Sequence, residues 1–254
     1  MFAEQRRNMI IDILAQRGAV SVTELHRRLK VSRETIRRDI NMLSSERKLR
    51  KTHGGALSME SVEPGFAERM SVNIDGKREI GRMAASLVTD GASLIIDSGT
   101  TTLCLADALA PRHGLNVYTN DVQVAARLAG HHENRVFILG GEVMGSEGAM
   151  LGRDTTAMLE NYYTDLAFIG ASALSPEHGL TDYTREAAEL RKLMLRNART
   201  TVLLADQSKF RRVAPVRVSA LEGLNTLITD IPLKGRNAAY FKKLRCEILV
   251  ADKA

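Results

Sequence analysis

From Asp75 onward, short runs rich in β-branched and apolar residues alternate with stretches of helical periodicity, and few folds accept that order. "SLIID" at 93–97, "NVYT" at 116–119, "VFILG" at 136–140, "LAFIGA" at 166–171, "TTVLLAD" at 200–206, "TLIT" at 226–229 and "EILVA" at 247–251 read as strands. Residues 77–88, 103–109, 122–128, 184–196 and 237–244 read as helices between them. Strands alternating with helices predict an α/β domain with a mainly parallel sheet covered on both faces. Ligands of such sheets bind beyond the carboxyl ends of the strands. No apolar run reaches the roughly 18 residues that a membrane span needs, and residues 1–14 carry scattered charge unlike a signal peptide. Cys104 and Cys246 stand far apart in no metal spacing, which argues against a disulfide framework and a zinc site. The expected location is the cytoplasm.

Charge divides the chain differently. Residues 1–57 hold 13 Lys+Arg against 6 Asp+Glu, while residues 58–254 hold 23 against 24. The net is +7 on the head and −1 on the body, so a polyanion is the expected partner of the head. A basic surface without a partner is the plainer alternative. Within the head, 4–16 is predicted helical with Met9, Ile10, Ile13 and Leu14 on one stripe and Gly18 as its stop. Thr23 is expected to cap a short helix that buries Leu25 and Leu29, and Ser32 to cap the next. That helix buries Ile36, Ile40 and Leu43, leaving Arg33, Thr35, Arg37, Arg38 and Asn41 on other faces. Two short helices at a tight turn, the second with exposed arginines, form a helix-turn-helix layout. Its second helix fits the major groove, where arginine can bond guanine bidentately. "KLRKTHGGAL" then predicts a two-stranded wing turning at Gly54-Gly55, with Arg50, Lys51 and His53 along the DNA backbone. A three-helix protein-interaction module is the alternative. One helix in one groove makes few contacts, so a homo-oligomer, dimer or tetramer, on repeated half-sites is expected.

In the body, polar clusters fall at predicted strand ends. "DSGTTT" comprises Asp97, Ser98, Gly99, Thr100, Thr101 and Thr102, where a strand gives way to a helix. Free N–H groups and hydroxyls at a helix start suit a phosphate, although the same residues also serve as ordinary caps. Thr119 and Asn120, then Gly140 and Gly141, repeat the strand-end position, and "ADQSKF" at 205–210 adds Lys209 as a cation for an anionic ligand. His131 and His132 are adjacent and lack further ligands for a metal. No GxGxxG or Walker pattern is present, so no nucleotide cofactor is indicated.

The head motif, Arg6, Ile10 and Leu14 followed by Ser32 and "TIRRDI" at 35–40, with "HGGA" at 53–56, resembles the DeoR-type winged-helix repressors of sugar metabolism. "DSGTT", "TND", "LGGE", "FIGAS", "GLT" and "ADQSKF" continue the resemblance in family order through the body. It implies a winged helix-turn-helix DNA-binding domain at 1–57, a linker at 58–73 and a sensor domain at 74–254, similar in fold to ribose-5-phosphate isomerase. It also implies double-stranded operator DNA and a phosphorylated sugar as partners. Ser98, Gly99, Thr100 and Thr101 would hold the phosphate, with Thr119, Asn120 and Lys209 nearby. From its own chemistry Asp39 is expected to be structural, paired with a neighbouring arginine, because a carboxylate aimed at phosphates would be repelled. The isomerase carries Asp-Gly-Ala-Asp where this chain has Gly170-Ala171-Ser172-Ala173, and many DeoR-type sensors have Ala-Asp-Gly there. Glu186 could stand in for the isomerase base or simply favour a helix start. Without a paired acid, proton shuttling is not expected, so the resemblance points to a repressor and not an enzyme. An isomerase with a basic head, or an activator of the same architecture, are the competing readings.

Overall fold

The computed structural model describes residues 2–17, 19–46, 48–52, 54–58, 63–144 and 148–251. The chain divides into two compact units, Met1–Glu63 and Pro64–Ala254.

In the first unit, helix α1 (Ala3–Arg17) is followed by strand β1 (Ala19–Ser21), helices α2 (Val22–Leu29) and α3 (Arg33–Ser45), and strands β2 (Leu49–Lys51) and β3 (Gly55–Ser58). Ile10, Leu14, Leu25, Leu29, Ile36, Ile40 and Leu43 meet in one core with Val20, Leu49 and Ala56. Met9, expected on the stripe of α1, is exposed, because Ile10 and Leu14 face α3 and turn it outward. Ser21 rather than Thr23 caps α2, accepting a hydrogen bond from Glu24 N at 3.1 Å. The helix starts two residues earlier than its sequence suggests because β1 runs directly into it. Ser32 caps α3 as expected, accepting from Thr35 N at 3.1 Å. The wing gains a third strand: β3 lies between β1 and β2, antiparallel to both. Gly55 permits that close pairing, since a Cβ there would lie 2.1 Å from Val20 O. Gly18 and His53 lie outside the described residues.

The second unit is built on a seven-stranded sheet of order β15-β14-β12-β9-β4-β5-β6, parallel throughout. Its strands are β4 (Ser93–Ile96), β5 (Asn116–Thr119), β6 (Arg135–Ile138), β9 (Thr164–Gly170), β12 (Ala198–Leu204), β14 (Thr226–Thr229) and β15 (Glu247–Val250). Successive residues point to opposite faces, and both faces are apolar, as a doubly covered parallel sheet requires. Leu94, Ile96, Phe168, Val202 and Leu204 pack beneath α5 (Ile74–Ser86), α6 (Thr100–Ala108) and α7 (Val122–Leu128). Ile95, Ala167, Ile169 and Leu203 pack on the other face with α8 (Arg153–Leu159), α9 (Arg185–Met194) and α10 (Gly235–Lys243). Two short pieces were not apparent in the periodicity: a hairpin of β7 (Glu142–Met144) and β8 (Ala149–Leu151), and an antiparallel sheet of β10 (Ala173–Ser175), β11 (Gly179–Asp182) and β13 (Val216–Ser219). Within the 58–73 stretch expected as linker, α4 (Phe66–Ser71) is helical, with Phe66 and Met70 packed on the core. Chain order runs outward from β4 to β6 on one side and from β9 to β15 on the other. The topological switch therefore falls between β4 and β9, where such sheets bind ligands.

In the head, Arg6 Nε donates to Asp39 Oδ2 at 2.5 Å and Nη2 to Oδ1 at 3.1 Å, with both residues below a tenth exposed. This fork joins α1 to α3 and raises the Arg6 pKa through the bond to Asp39. Its value lies between an exposed pair and a fully buried one. Asp39→Ala is expected to destabilise the head by about 2 kcal/mol in urea unfolding followed by circular dichroism, whereas Arg38→Ala on the exposed face leaves the midpoint within about 0.5 kcal/mol.

Candidate functional site

Helix α3 and the wing strand β2 supply the exposed cations of the head. Arg33, Arg37 and Arg38 are exposed on α3, as are Arg50 and Lys51 on β2, where Leu49 alone points inward. Thr35 is half-buried, its hydroxyl shares a hydrogen bond with Ser32 Oγ at 2.8 Å, and its N–H donates to the same oxygen, so Ser32 sets the helix start. Arg37 lies 3.8 Å from Glu34 in a solvent-exposed pair, too weak to resist a competing anion. Arg37, Asn41, Lys51 and Thr52 share a cleft of about 350 Å³ between α3 and the wing. The cleft thus brings Arg37 of α3 and Lys51 of the wing together, while Arg33, Arg38 and Arg50 are exposed but do not line it.

In the body, the "DSGTTT" residues follow β4 and open α6 at the switch point. Gly99 has φ of +147°, a conformation other residues rarely adopt, and it leads into α6 with no side chain capping the first turn. Asn120, at the end of β5, receives Ser98 N at 3.1 Å and donates to Ser98 Oγ at 3.2 Å and to Met150 O at 3.1 Å. Ser98 and Asn120 are therefore joined by direct bonds, while buried Thr119, which precedes Asn120, accepts Asp121 N at 3.1 Å through its hydroxyl. Gly140 and Gly141 follow β6 two strands away, where Gly140 O accepts from Thr155 Oγ1 at 2.6 Å. Lys209 ends a short 3-10 turn, Gln207–Lys209, after β12, and is half-buried.

Sequence reasoning missed the group that organises this edge. Arg191 of α9 is buried at 7% exposure. Its Nε donates to Asp97 Oδ2 at 2.7 Å and its Nη1 to Ser172 Oγ at 2.9 Å, and Nη1 also pairs with Asp182 Oδ2. Asp97 accepts further from Ser98 N at 2.8 Å and Gly170 N at 3.0 Å, and Asp182 from Tyr183 N at 2.7 Å. The signal was present: Arg191 falls on the inward stripe of α9 with Ala188 and Met194, where an arginine needs buried partners. Two carboxylates do meet beside Ser172, but both are spent on one guanidinium and on backbone N–H groups. Glu186 is exposed in the first turn of α9. Burial pushes the Cys246 thiol up to about 11 and also raises Cys104, which disfavours the thiolate at both. Among the described residues no cluster of metal-ligating side chains occurs, and no helix is long and apolar enough to cross a membrane.

The family profile of the DeoR-like helix-turn-helix domain matches residues 6–62, and that of the DeoR C terminal sensor domain matches residues 72–231. The chain belongs to the DeoR family. It is 31% identical to the glycerol-3-phosphate regulon repressor of Escherichia coli K12 over 229 residues, covering 90% of this chain and 91% of that protein. It is 34% identical to the Haemophilus influenzae glycerol-3-phosphate regulon repressor over 97% of this chain and 96% of that protein. It is 33% identical to the transcriptional regulator GolR of Listeria innocua over 96% of each. A solved ribose 5-phosphate isomerase A from Methanocaldococcus jannaschii aligns at 20% identity with a TM-score of 0.40, over 54% of this chain and 55% of that one. This DeoR-type protein is a DNA-binding transcriptional regulator, and its relatives are regulators rather than enzymes.

Asp121 caps α7, its Oδ1 accepting Gln123 N at 2.7 Å and Val124 N at 3.3 Å, while Oδ2 is buried without a hydrogen-bond partner among the described residues. Burial raises its pKa, against the pull of the N–H groups of Gln123, Val124 and Gly99, and the Asp97 charge adds to the rise. A carboxyl raised in the folded state favours folding below its unfolded pKa, and this contribution is lost as pH rises through the folded value. Asn caps as well as Asp. Asp121→Asn is therefore expected to match or exceed wild-type stability near neutral pH, with the gap closing toward acid, in urea melts across a pH series.

Proposed function

We propose that this DeoR-family regulator is a cytoplasmic homo-oligomeric repressor of carbohydrate-metabolism genes that leaves its operator when a phosphorylated sugar or related intermediate binds the body. In this reading residues 1–57 bind DNA, 58–73 connect, and 74–254 sense. The observation that supports the effector assignment is the "SGTT" loop at the switch point, where α6 starts without a side-chain cap and the adjacent Asp97 is already neutralised by Arg191. A helix start of this kind favours a phosphate, and Lys209 on the neighbouring half of the sheet edge supplies counter-charge. The names of the glycerol-3-phosphate regulon repressors support a small phosphorylated polyol or sugar as the ligand class.

On the DNA side, α3 enters the major groove with Arg33, Thr35, Arg37 and Arg38, while Arg50 and Lys51 follow the phosphates. Arg37→Ala is expected to cost roughly 1–3 kcal/mol on operator DNA and little on random duplex. Lys51→Ala should weaken both alike and make the slope of log affinity against log salt shallower by about one. Fluorescence anisotropy across a salt series separates the two; equal losses for both variants on both DNAs would overturn the division of roles.

On the effector side, calorimetric titration with glycerol 3-phosphate, aldose and ketose phosphates, and their unphosphorylated parents is expected to show binding only to a phosphorylated member. Thr100→Val and Lys209→Ala should each weaken that binding about tenfold, or 1.4 kcal/mol, with the fold intact. Tight binding of a free sugar, or wild-type affinity in both folded variants, would rule out the phosphate loop.

A further inference from the structure

Lys77 is wholly buried at 1% exposure in the first turn of α5, and the phosphate-loop reading gives it no task. Its ammonium donates to the Arg69 carbonyl of α4. Burial lowers its pKa, and the nearby Asp206 charge opposes that fall. Asp206 is also fully buried and is the last residue before the turn that carries Lys209. Its Oδ1 accepts Ser208 N at 2.9 Å and its carbonyl accepts Lys209 N at 3.0 Å. Its Oδ2 has no hydrogen-bond partner among the described residues. A buried carboxylate oxygen without a donor and a buried ammonium bonded to a carbonyl are each costly, and they sit on two segments that meet at Asp230, which offers a second state. The same loop is strapped to the start of α5 again, because Asp230 accepts Gln207 N at 2.7 Å and Asn73 Nδ2 at 2.8 Å.

Helix α4 depends on that ammonium more than a longer helix would. It has six residues and no side-chain cap, so its intrinsic stability is small, and Phe66, Met70, the buried Arg69 and the Lys77 bond help to hold it. It also lies in the stretch between the two family matches, which end at residue 62 and begin at residue 72, so it is the covalent path from head to body.

We infer that Lys77 is a positioning residue with two alternative acceptors, the Arg69 carbonyl and the Asp206 carboxylate, and that its choice ties the state of the 205–210 loop to the docking of α4. Resting on the effector reading of Lys209, a ligand that draws the loop toward itself shifts Asp206, and the ammonium with it, and thereby loosens or fastens the segment leading to the DNA-binding head.

The test is hydrogen–deuterium exchange of the full-length protein without ligand, read at the amides of 66–72. Asp206→Asn keeps the Oδ1 acceptor for Ser208 N and removes the competing anion, so α4 should exchange several-fold more slowly than in wild type. Lys77→Met keeps the buried stem and removes the donor, so α4 should exchange about tenfold faster while the amides of β4 and β9 are unchanged. An Asp206→Asn protein whose α4 exchanges at the wild-type rate or faster overturns the proposal, and that arm decides even if Lys77→Met fails to fold. Because no ligand is added, this failure is distinct from failure of the effector titration above.

Discussion

The Arg191 guanidinium, shared by Asp97 and Asp182, is the interaction on which the ligand-facing edge depends. It joins residues 94 positions apart in the chain and closes β4, β11 and α9 around the switch point. Removing two carboxylates from water is expensive, and only a donor with a planar fork and several N–H groups satisfies both at once. Asp97 then has no free oxygen to act as an acid or base, because Ser98 N and Gly170 N occupy what Arg191 leaves. The arrangement fixes where the "SGTT" loop begins and withholds proton-transfer chemistry from it. A fold whose strand ends suit reaction or recognition is confined here to recognition.

What the sequence disclosed and what it withheld follow from the range of the interactions involved. The parallel strands were legible because each is a short apolar run and the inner ones bury both faces, and the Ser32 cap because its bond closes over three residues. Arg6 and Asp39 both stood in the head motif, yet their pairing across α1 and α3 is visible only in three dimensions. The start of α2 was misread because Ser21 and Thr23 are both good caps, and only the pairing of β1 with β3 selects the earlier one. The small sheet of β10, β11 and β13 was missed because three- and four-residue strands have no detectable period. Arg191 and Lys77 were passed over because charged residues on helices are usually solvated, and burial is a property of the whole fold.

The two units divide the physics of the protein. In the head, affinity for a polyanion comes from exposed cations that cost little to place, and specificity comes from a few of them reaching base edges. In the body, net charge is near zero, and Asp97, Asp182 and Arg191 are buried and paired with one another. Salt therefore acts chiefly on the first unit, while a ligand acts on the second. A regulator built this way needs a connection whose state responds to the body without weakening the body's core.

Helix α4 has the properties such a connection requires. An allosteric effect of tenfold on operator affinity corresponds to about 1.4 kcal/mol of coupling. The seven-stranded core is too cooperative to respond to so small a term by rearranging, because its strands are apolar on both faces and packed under two layers. A six-residue helix without a side-chain cap, whose contacts include Phe66, Met70 and the buried Lys77 ammonium, has a local stability of that same small order. Loss or transfer of the Lys77 hydrogen bond is worth enough to change its docked population severalfold and too little to unfold the sheet beneath it. A coupling of that size is therefore matched by α4, the short uncapped helix between the two family domains, and not by the seven-stranded core.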